Sequence, residues 1–271
     1  MRGITLGLFS YIPTVYDTDF QTNVLDVAQV NEFEIPPISL LREMNWLMKG
    51  MKNIGFYQIQ DTLANFALGI SGYEQFRMID WKQTGNIYTP YGGLIYNSNG
   101  IEGNGIDGYI NTNFNPATMG QNYTLNDASL GNVIYKNATG GHSNINVSFS
   151  NSVSGTAGNL IRNDNSGIKR INQSTSNLST NINFTGEGIK ILNRVNSEEV
   201  RGISKNTETT AQATSTSIHN DNLFLLVRQD LYSLIGVSLV FAGGSISYAR
   251  SQSFRTIYNQ FLSKAGLEPI A

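Results

Sequence analysis

The acidic side chains of this sequence are candidates for catalysis, because a pair of carboxyl groups can hydrolyse a glycosidic bond. Hydrolysis of a glycosidic bond needs two carboxyl groups about 5–10 Å apart in one cleft, and residues two apart on a strand share a face. Glu198 and Glu199 are adjacent, so they would face opposite sides of a strand. The other candidates lie in a glycine-rich bend or near the N-terminus: Glu102, Asp107, Glu32 and Glu34. We interpret all of them as solvated surface carboxylates.

Histidine and Asx side chains give no stronger site. His142 and His219 are predicted to lie in loops, and neither has a second ligand at metal spacing. Asn163-Asp164-Asn165 offers oxygen ligands that could hold a calcium ion, but these residue types are also ordinary turn formers, which is the interpretation we favour. The sequence has no Ser-His-Asp arrangement, phosphate-binding loop or dinucleotide fingerprint. We therefore predict no catalytic, cofactor-binding or metal-ligating residue and no cofactor.

The charge balance argues against nucleic acid as a partner. The chain has 271 residues with 18 Lys and Arg against 20 Asp and Glu, and no basic cluster that would neutralise a phosphate backbone. It has no cysteine, which excludes disulfides and thiolate metal sites. No apolar run reaches the roughly 20 residues of a membrane helix, and residues 1–8 lack a full signal-peptide core. The sequence thus predicts no membrane partner and no secretion by the ordinary route.

Two stripes of apolar residues at helical spacing lie outside the long middle region of the chain. The first follows paired prolines, and its methionines and Trp46 could form a docking face, although we favour packing of this helix on its own domain. The second precedes Gly266, which suits a helix end. Residues 1–35 show no sustained period and are predicted to form an extended arm. The stripes are Ile38, Leu41, Met44, Met48 and Met51, and Phe254, Ile257, Tyr258, Phe261 and Leu262.

Alternating apolar and polar residues dominate the middle of the chain. Alternation places one face of a strand on a core and the other in water, and glycine-rich turns recur at intervals that suit hairpins. We therefore predict an antiparallel two-sheet β-sandwich between about residues 60 and 245. Residues 223–227 and 235–241 are the least interrupted apolar runs and are the best candidates for central strands.

Several short motifs occur in one order along the chain. Ile79-Asp80-Trp81-Lys82 is followed by a glycine-rich bend at residues 100–108, and then by Thr112-Asn113-Phe114-Asn115-Pro116. Near its end the chain has an apolar strand, then a helix that contains Tyr258-Asn259-Gln260-Phe261-Leu262, and then Ala265-Gly266-Leu267. This series resembles the concanavalin A-like (laminin-G-type) jelly-roll domain of tailed-bacteriophage virion structural proteins. The resemblance spans roughly residues 38–267.

The resemblance implies a mainly β, antiparallel concanavalin A-like jelly-roll sandwich in three parts. These are an N-terminal arm for docking or oligomerisation (1–35), an amphipathic helix and connector (36–60), and the sandwich with its closing helix (61–271). A fibre, decoration or tail component of a virion is implied, without enzymatic activity and with a lectin-like role in host-surface attachment. Expected partners are other virion proteins, further copies of the chain, with a homotrimer as first guess, and a host-surface glycan or protein. The alternative is a carbohydrate-active enzyme, a glycoside hydrolase or lyase, of the same fold.

Overall fold

The computed structural model describes residues 15–138, 147–152, 159–163, 169–173 and 182–270. Strands dominate these residues, and every strand pair in them is antiparallel. The strands in the described residues are β1 (Gln60–Asn65), β2 (Thr89–Tyr91), β3 (Ile95–Asn97), β4 (Gly100–Glu102), β5 (Tyr109–Asn111), β6 (Ala128–Lys136), β7 (Val147–Ser150), β8 (Leu160–Arg162), β9 (Gly188–Arg194), β10 (Glu199–Ser204), β11 (Thr207–Gln212), β12 (Phe224–Leu225), β13 (Val227–Arg228), β14 (Leu231–Tyr232) and β15 (Gly236–Gly243).

Within the described residues the strands form a larger sheet, a smaller sheet and a hairpin. The larger sheet has the order β11-β10-β9-β6-β15-β4-β3, and β1 also pairs with β15. The smaller sheet has the order β2-β5-β12-β7-β8, and β13 pairs with β14. The predicted central strands are confirmed, because β15 and β12 both lie inside their sheets. The run at residues 223–227 is split, since Leu226 has a φ of 67° and separates β12 from β13.

Helices cover the outer face of the larger sheet. A short helix α1 (Thr18–Phe20) continues through a π-helical turn (Gln21–Leu25) into α2 (Asp26–Val30). The two long helices are α3 (Ile38–Asn53) and α6 (Tyr248–Lys264), and the short ones are a 3-10 turn (Tyr57–Ile59), α4 (Glu74–Arg77) and α5 (Pro116–Met119). No helix among the described residues is long and apolar enough to cross a membrane.

The central strands of the larger sheet, β6, β9 and β15, are buried on both faces. On β15, Leu239 and Phe241 join the apolar cluster formed with the helices, whereas Val240 and Ala242 join the cluster shared with the smaller sheet. A strand buried on both sides reads as a continuous apolar run, which explains why residues 235–241 lack alternation. The described chain is therefore mainly β, with antiparallel sheets in a sandwich and helices on the outside, and the predicted fold class is confirmed.

Aromatic rings join the outer helices to the larger sheet. Gly131 on β6 lies opposite Phe241, and a Cβ at this glycine would stand 1.9 Å from the Phe241 ring. Glycine therefore leaves room for the far end of the Phe241 ring over β6. Phe56 meets Phe241 edge-on at 5.0 Å between ring centroids and stacks on Phe254 of α6 at 4.1 Å. These contacts fix the closing helix above the centre of the sheet.

The predicted closing helix is confirmed, and it packs on the chain's own core. Phe254, Tyr258 and Phe261 are fully buried on α6. Ile257 is half-buried and lies against Gly50 of α3, where a Cβ would stand 2.7 Å from its Cγ2. The small residue in α3 thus allows the two long helices to approach closely.

The methionine face of α3 is also buried. Met44, Met48 and Met51 have no exposed surface and belong to the chain's own core. Trp46 is half-buried, and the Nζ of Lys264 lies 5.0 Å from its ring centroid. The favoured interpretation, packing of this helix on its own domain, is confirmed. The alternative of docking through its methionines is wrong, because they contact no solvent.

Residues 18–30 are helical, so the prediction of an extended arm is wrong for this stretch. Asp17 begins the first turn, because its side chain accepts a hydrogen bond from the Asp19 N–H at 3.0 Å. Phe20 and Val24 are fully buried, and the Phe20 ring meets Trp81 edge-on at 5.9 Å. The chain's own core orders these residues. A docking or oligomerisation role for the N-terminal 35 residues stays a prediction.

Truncation of Phe254 tests the aromatic contact between α6 and the sheet. We expect Phe254→Ala to lower the free energy of unfolding by about 3–5 kcal/mol, because it leaves a cavity beside Phe56 and Phe241. Urea denaturation followed by circular dichroism measures the change. The exposed neighbour substitution Ser253→Ala should change stability by less than about 0.5 kcal/mol. Equal effects of the two substitutions would show that the ring stack contributes little.

A buried lysine gives the fold a dependence on pH. The side chain of Lys190 is fully buried, and its Nζ donates hydrogen bonds to the Thr185 carbonyl oxygen and the Ser204 Oγ, both at 2.9 Å. Burial, with a smaller effect of nearby Lys205, lowers the pKa of Lys190 to about 8 from 10.5. The unfolded chain binds more protons than the folded chain between these two values, so this group makes stability rise with pH in that window.

Comparison with Lys190→Met isolates this effect. We expect the free energy of unfolding of the unmodified protein, relative to Lys190→Met, to rise above pH 8 by up to about 1.4 kcal/mol per pH unit. Denaturation at intervals between pH 7 and 9.5 measures it. The exposed substitution Lys49→Met is the control and should show no such slope. A flat difference for Lys190→Met would mean that Lys190 stays protonated in the fold throughout this range.

Candidate functional site

A polar cleft of about 580 Å³ opens beside the start of β1. Three segments that are far apart in sequence form its walls: the residues that lead into β1, the loop after Trp81, and the end of α5 with the turn that follows. Amide and hydroxyl side chains predominate. The polar cleft is lined by Gln58, Gln60, Asp61, Lys82, Gln83, Thr84, Thr118, Met119, Gly120, Gln121 and Asn122.

Asp61 holds the turn that follows α5. Its carboxylate accepts hydrogen bonds from the backbone N–H groups of Gln121 at 3.1 Å, Asn122 at 2.9 Å and Tyr123 at 2.7 Å. The Asn122 side-chain Nδ2 donates to the same carboxylate at 2.8 Å. Asp61 is only 5% exposed, so these donors replace the water that a buried carboxylate needs. One side of the polar cleft is thereby fixed to β1.

Asp80 holds the opposite wall. Its buried carboxylate accepts hydrogen bonds from Thr62 Oγ1 at 2.6 Å and from the Leu63 N–H at 3.1 Å, both on β1. It also accepts the Lys82 N–H at 2.8 Å and the Asn86 Nδ2 at 2.9 Å. Burial raises the pKa of Asp80, and these hydrogen bonds oppose the rise. The loop that carries Lys82 is therefore anchored to the same strand as Asp61.

Lys82 gives the polar cleft its positive charge. The ammonium lies 4.3 Å from the centroid of the Tyr57 ring, and no ion pair to it occurs among the described residues. Burial lowers the pKa of Lys82, while the more distant Asp19 and Asp61 oppose this change. A half-buried cation without a bound carboxylate can interact with an anionic group on a ligand.

Gln60 is a buried part of the wall of the polar cleft. The side chain is fully buried, and its Nε2 donates to the Phe56 carbonyl oxygen at 3.2 Å. Its Oε1 accepts no hydrogen bond from the described residues. Because this oxygen has almost no accessible surface, Gln60 shapes the wall and does not offer the acceptor to a ligand in the polar cleft. Closely spaced amides, hydroxyls and one cation suit a ligand rich in hydroxyl groups.

The carboxylates singled out from the sequence lie elsewhere. Glu102 is buried and binds Lys136 and the Tyr135 hydroxyl, and Glu199 binds Arg201 Nε at 2.5 Å. None of the six acidic candidates lines the polar cleft. The remaining four are exposed side chains or belong to the glycine-rich bend: Glu32, Glu34, Asp107 and Glu198.

The histidine and Asx candidates also lie apart from the polar cleft. His219 is half-buried and does not line it, while His142, Asp164 and Asn165 lie outside the described residues. Across the described ranges, no three His, Cys, Asp or Glu side chains come together as a metal site. The residues that sequence reasoning missed are Asp61 and Gln60. The sequence did point to Lys82, because this residue is the last one of the Ile79–Lys82 motif.

Comparisons with known proteins give limited information. No protein-family model matches the chain, and no curated protein matches it. Among solved structures, Trypanosoma rangeli sialidase aligns with a TM-score of 0.48 and 10% identity over 83% of this chain and 39% of that chain. The same enzyme in complex with 2,3-difluoro-KDN aligns with a TM-score of 0.47 and 9% identity over the same shares. This chain thus spans well under half the length of these neighbours.

The neighbours change one expectation. They are sialidases, which are enzymes, so the expectation that the chain has no enzymatic activity is contradicted and is withdrawn. The sandwich agrees with the predicted fold, but these comparisons contain no phage or laminin-G family. At this level of similarity the likeness assigns neither an activity nor a residue role to the present chain.

Removal of the charge on Asp61 tests the construction of the polar cleft. We expect Asp61→Asn to make the backbone amides of residues 121–123 exchange with solvent at least about tenfold faster, because it weakens charge-assisted hydrogen bonds. Hydrogen exchange followed by mass spectrometry or NMR measures this. Asp221→Asn, at an exposed position, should leave these amides unchanged. Unchanged protection in Asp61→Asn would show that the turn after α5 is ordered without the carboxylate.

Proposed function

We propose that the chain is a virion component of a tailed bacteriophage, in a fibre, decoration or tail assembly, and that its polar cleft binds a host-surface glycan. The proposal combines the resemblance of residues 38–267 to phage virion domains with the geometry of the polar cleft. One observation carries it: two of the motifs behind the resemblance meet at this cleft.

The first motif, Ile79–Lys82, builds one wall. Asp80 and Trp81 are buried, and the Trp81 N–H donates to the Leu63 carbonyl oxygen of β1 at 2.7 Å. Lys82 is the next residue and reaches the polar cleft. The buried residues Asp80 and Trp81 therefore position Lys82, which a ligand can contact.

The second motif, Thr112–Pro116, builds another wall. Phe114 is buried between the sheets, and the Asn115 Oδ1 accepts the Ala117 N–H at 3.0 Å, which caps the start of α5. Pro116 suits the first position of the helix. The helix then delivers Thr118 and Met119 to the polar cleft. Two motifs that are about 30 residues apart in sequence thus support the same binding surface.

The composition of the polar cleft favours a sugar that bears an anionic group. Side-chain amides and hydroxyls can donate to and accept from sugar hydroxyls, and the Lys82 ammonium can pair with a carboxylate or phosphate substituent. Both walls are anchored to β1 by the carboxylates of Asp61 and Asp80, so little ordering is needed on binding. Such a preformed surface suits attachment to a host cell by a protein that is repeated on a particle.

Glycan binding by the purified full chain tests the proposal. We expect binding to an acidic member of a bacterial-surface oligosaccharide panel, weakened about tenfold or more by Lys82→Ala, because the variant removes the cation. Lys49→Ala on the exposed face of α3 is the matched control and should bind as the unmodified protein does. Chromatography of the same reactions shows whether the bound glycan is also cleaved.

Two further measurements address the particle. The protein should be found in purified virions, and light scattering should show a homo-oligomer, with a trimer expected. Absence from the particles, or equal glycan binding by Lys82→Ala and Lys49→Ala, would contradict the proposal. A truncation that lacks the first 14 residues tests whether that segment is needed for assembly, while the buried helical stretch that begins at Thr18 stays intact.

A further inference from the structure

A group of aromatic side chains lies on the outer face of the smaller sheet, away from the polar cleft. Tyr91 of β2 pairs with Tyr109 of β5 across the strands, and Phe224 of β12 extends the same face. Their neighbours Ile110 and Leu225 point to the core instead, as alternation on a strand requires. Tyr232 of β14 completes the group. We call these four residues, Tyr91, Tyr109, Phe224 and Tyr232, the aromatic platform.

The rings of the aromatic platform form a row. Tyr91 and Tyr109 stack with centroids 4.6 Å apart and planes 8° apart. On the other side of Tyr109, the centroid of Tyr232 lies at 6.0 Å and that of Phe224 at 6.3 Å. Tyr91 is 42% exposed, so ring surface at the end of the row is open to solvent. The other three rings are partly buried, so the row offers one exposed ring backed by ring edges and faces.

Both ends of the row are held by the backbone. Tyr232 lies in the β13–β14 hairpin, where it pairs with Val227. Next to Tyr91, the Gly93 N–H donates to Asp107 Oδ1 at 2.9 Å, which ties the glycine-rich bend to the end of β2. The rings are therefore positioned before any ligand arrives, and the entropy lost on binding is small.

The strand residues of this face are uncharged, and the Asp107 carboxylate lies at the end of β2. The outward-facing residues of β2, β5 and β12 carry hydroxyl, amide or aromatic groups and no charge. Asn111 Oδ1 accepts from the Asn222 Nδ2 at 3.1 Å and from the Asn113 N–H at 2.9 Å, and within the described part of the chain its Nδ2 makes no hydrogen bond. The outward-facing residues are Thr89, Tyr91, Tyr109, Asn111 and Phe224.

We propose that the aromatic platform is a second binding site, which takes an uncharged pyranose ring of an oligosaccharide. The C–H groups on one face of a pyranose carry partial positive charge and meet the negative face of a tyrosine ring, while its hydroxyls reach the phenol and amide groups alongside. Tyrosine offers this surface at low entropic cost, because its side chain has few rotatable bonds. The uncharged strand residues, with the Asp107 carboxylate at the end of β2, match a neutral sugar and not an acidic one, which that carboxylate would repel.

Strand addition by a second protein chain is less favourable at this place. Pro90 occupies the middle of β2, the edge strand next to the platform, and provides no N–H to a pairing strand. A ligand that stacks on the rings does not need that edge. This site is independent of the glycan proposed for the polar cleft, because the two surfaces share no residue.

Titration of the full chain with neutral trisaccharides of glucose, galactose, rhamnose and N-acetylglucosamine tests the proposal by calorimetry and by NMR of the tyrosine rings. We expect at least one to bind, with about tenfold or greater weakening in Tyr91→Ala and near-normal binding in Tyr91→Phe, which keeps the ring. Ile38→Ala is the control, because Ile38 is also 42% exposed but lies on α3. Lys82→Ala should bind the neutral probes normally.

The outcomes separate the two sites. No binding of any neutral probe, or equal binding by Tyr91→Ala and Ile38→Ala, overturns the aromatic platform as a sugar site and leaves the proposed function untouched. If Lys82→Ala were the only variant to lose binding of the neutral probes, that binding would belong to the polar cleft. This result would also overturn the aromatic platform as a sugar site. A lower oligomeric state of Tyr91→Ala in light scattering, without a sugar effect, would identify the platform as a contact between copies and reject the sugar.

Discussion

The buried carboxylate of Asp80 is the interaction on which the N-terminal part of the fold and the polar cleft both depend. A carboxylate removed from water is strongly destabilising unless donors surround it, and here β1 and the following loop supply them together. The next residue, Trp81, uses its carbonyl oxygen to accept from the Tyr57 hydroxyl at 2.6 Å and the Asn23 Nδ2 at 3.2 Å. Loss of the Asp80 contacts would therefore release β1, the Lys82 loop and the contact with the N-terminal helical segment together.

The parts of the fold that the sequence predicted are those whose burial is regular. A helix covered on one face, such as α6, repeats its apolar residues every three or four positions, and β15, covered on both faces, forms a continuous apolar run. The helical stretch at residues 18–30 was missed although Phe20, Val24 and Val27 follow helical spacing. That stretch is short and contains a π-helical turn, and an isolated helix of this length is unstable in water. Its order comes from packing on Trp81, which no local pattern expresses.

The polar cleft was harder to predict than the fold, because its walls come from segments up to 64 residues apart. The search for paired carboxylates considered Glu102 and Glu199, and both bind neighbouring cations in the structure. Asp61 instead accepts hydrogen bonds from the backbone N–H groups of a turn that is distant in sequence. Residue type does not indicate these partners, because only the tertiary structure brings them together. Lys82 could be found only because the Ile79–Lys82 motif drew attention to it. A motif whose buried residues have a structural role can thus still mark the position of an exposed functional one.

One continuous segment, from β4 to α5, connects the two candidate binding surfaces. It leaves the larger sheet at Glu102, turns through the glycine-rich bend and enters the smaller sheet as β5, where Tyr109 joins the aromatic platform. Only a few residues later it begins α5 at Pro116 and reaches the polar cleft. Glycine is needed in the bend because Gly105 has a φ of 73° and its Cα lies against Leu234, where a Cβ would be 2.8 Å from Cδ2. The backbone that crosses from one sheet to the other therefore fixes both surfaces, and a ligand on either would act on the same rigid element.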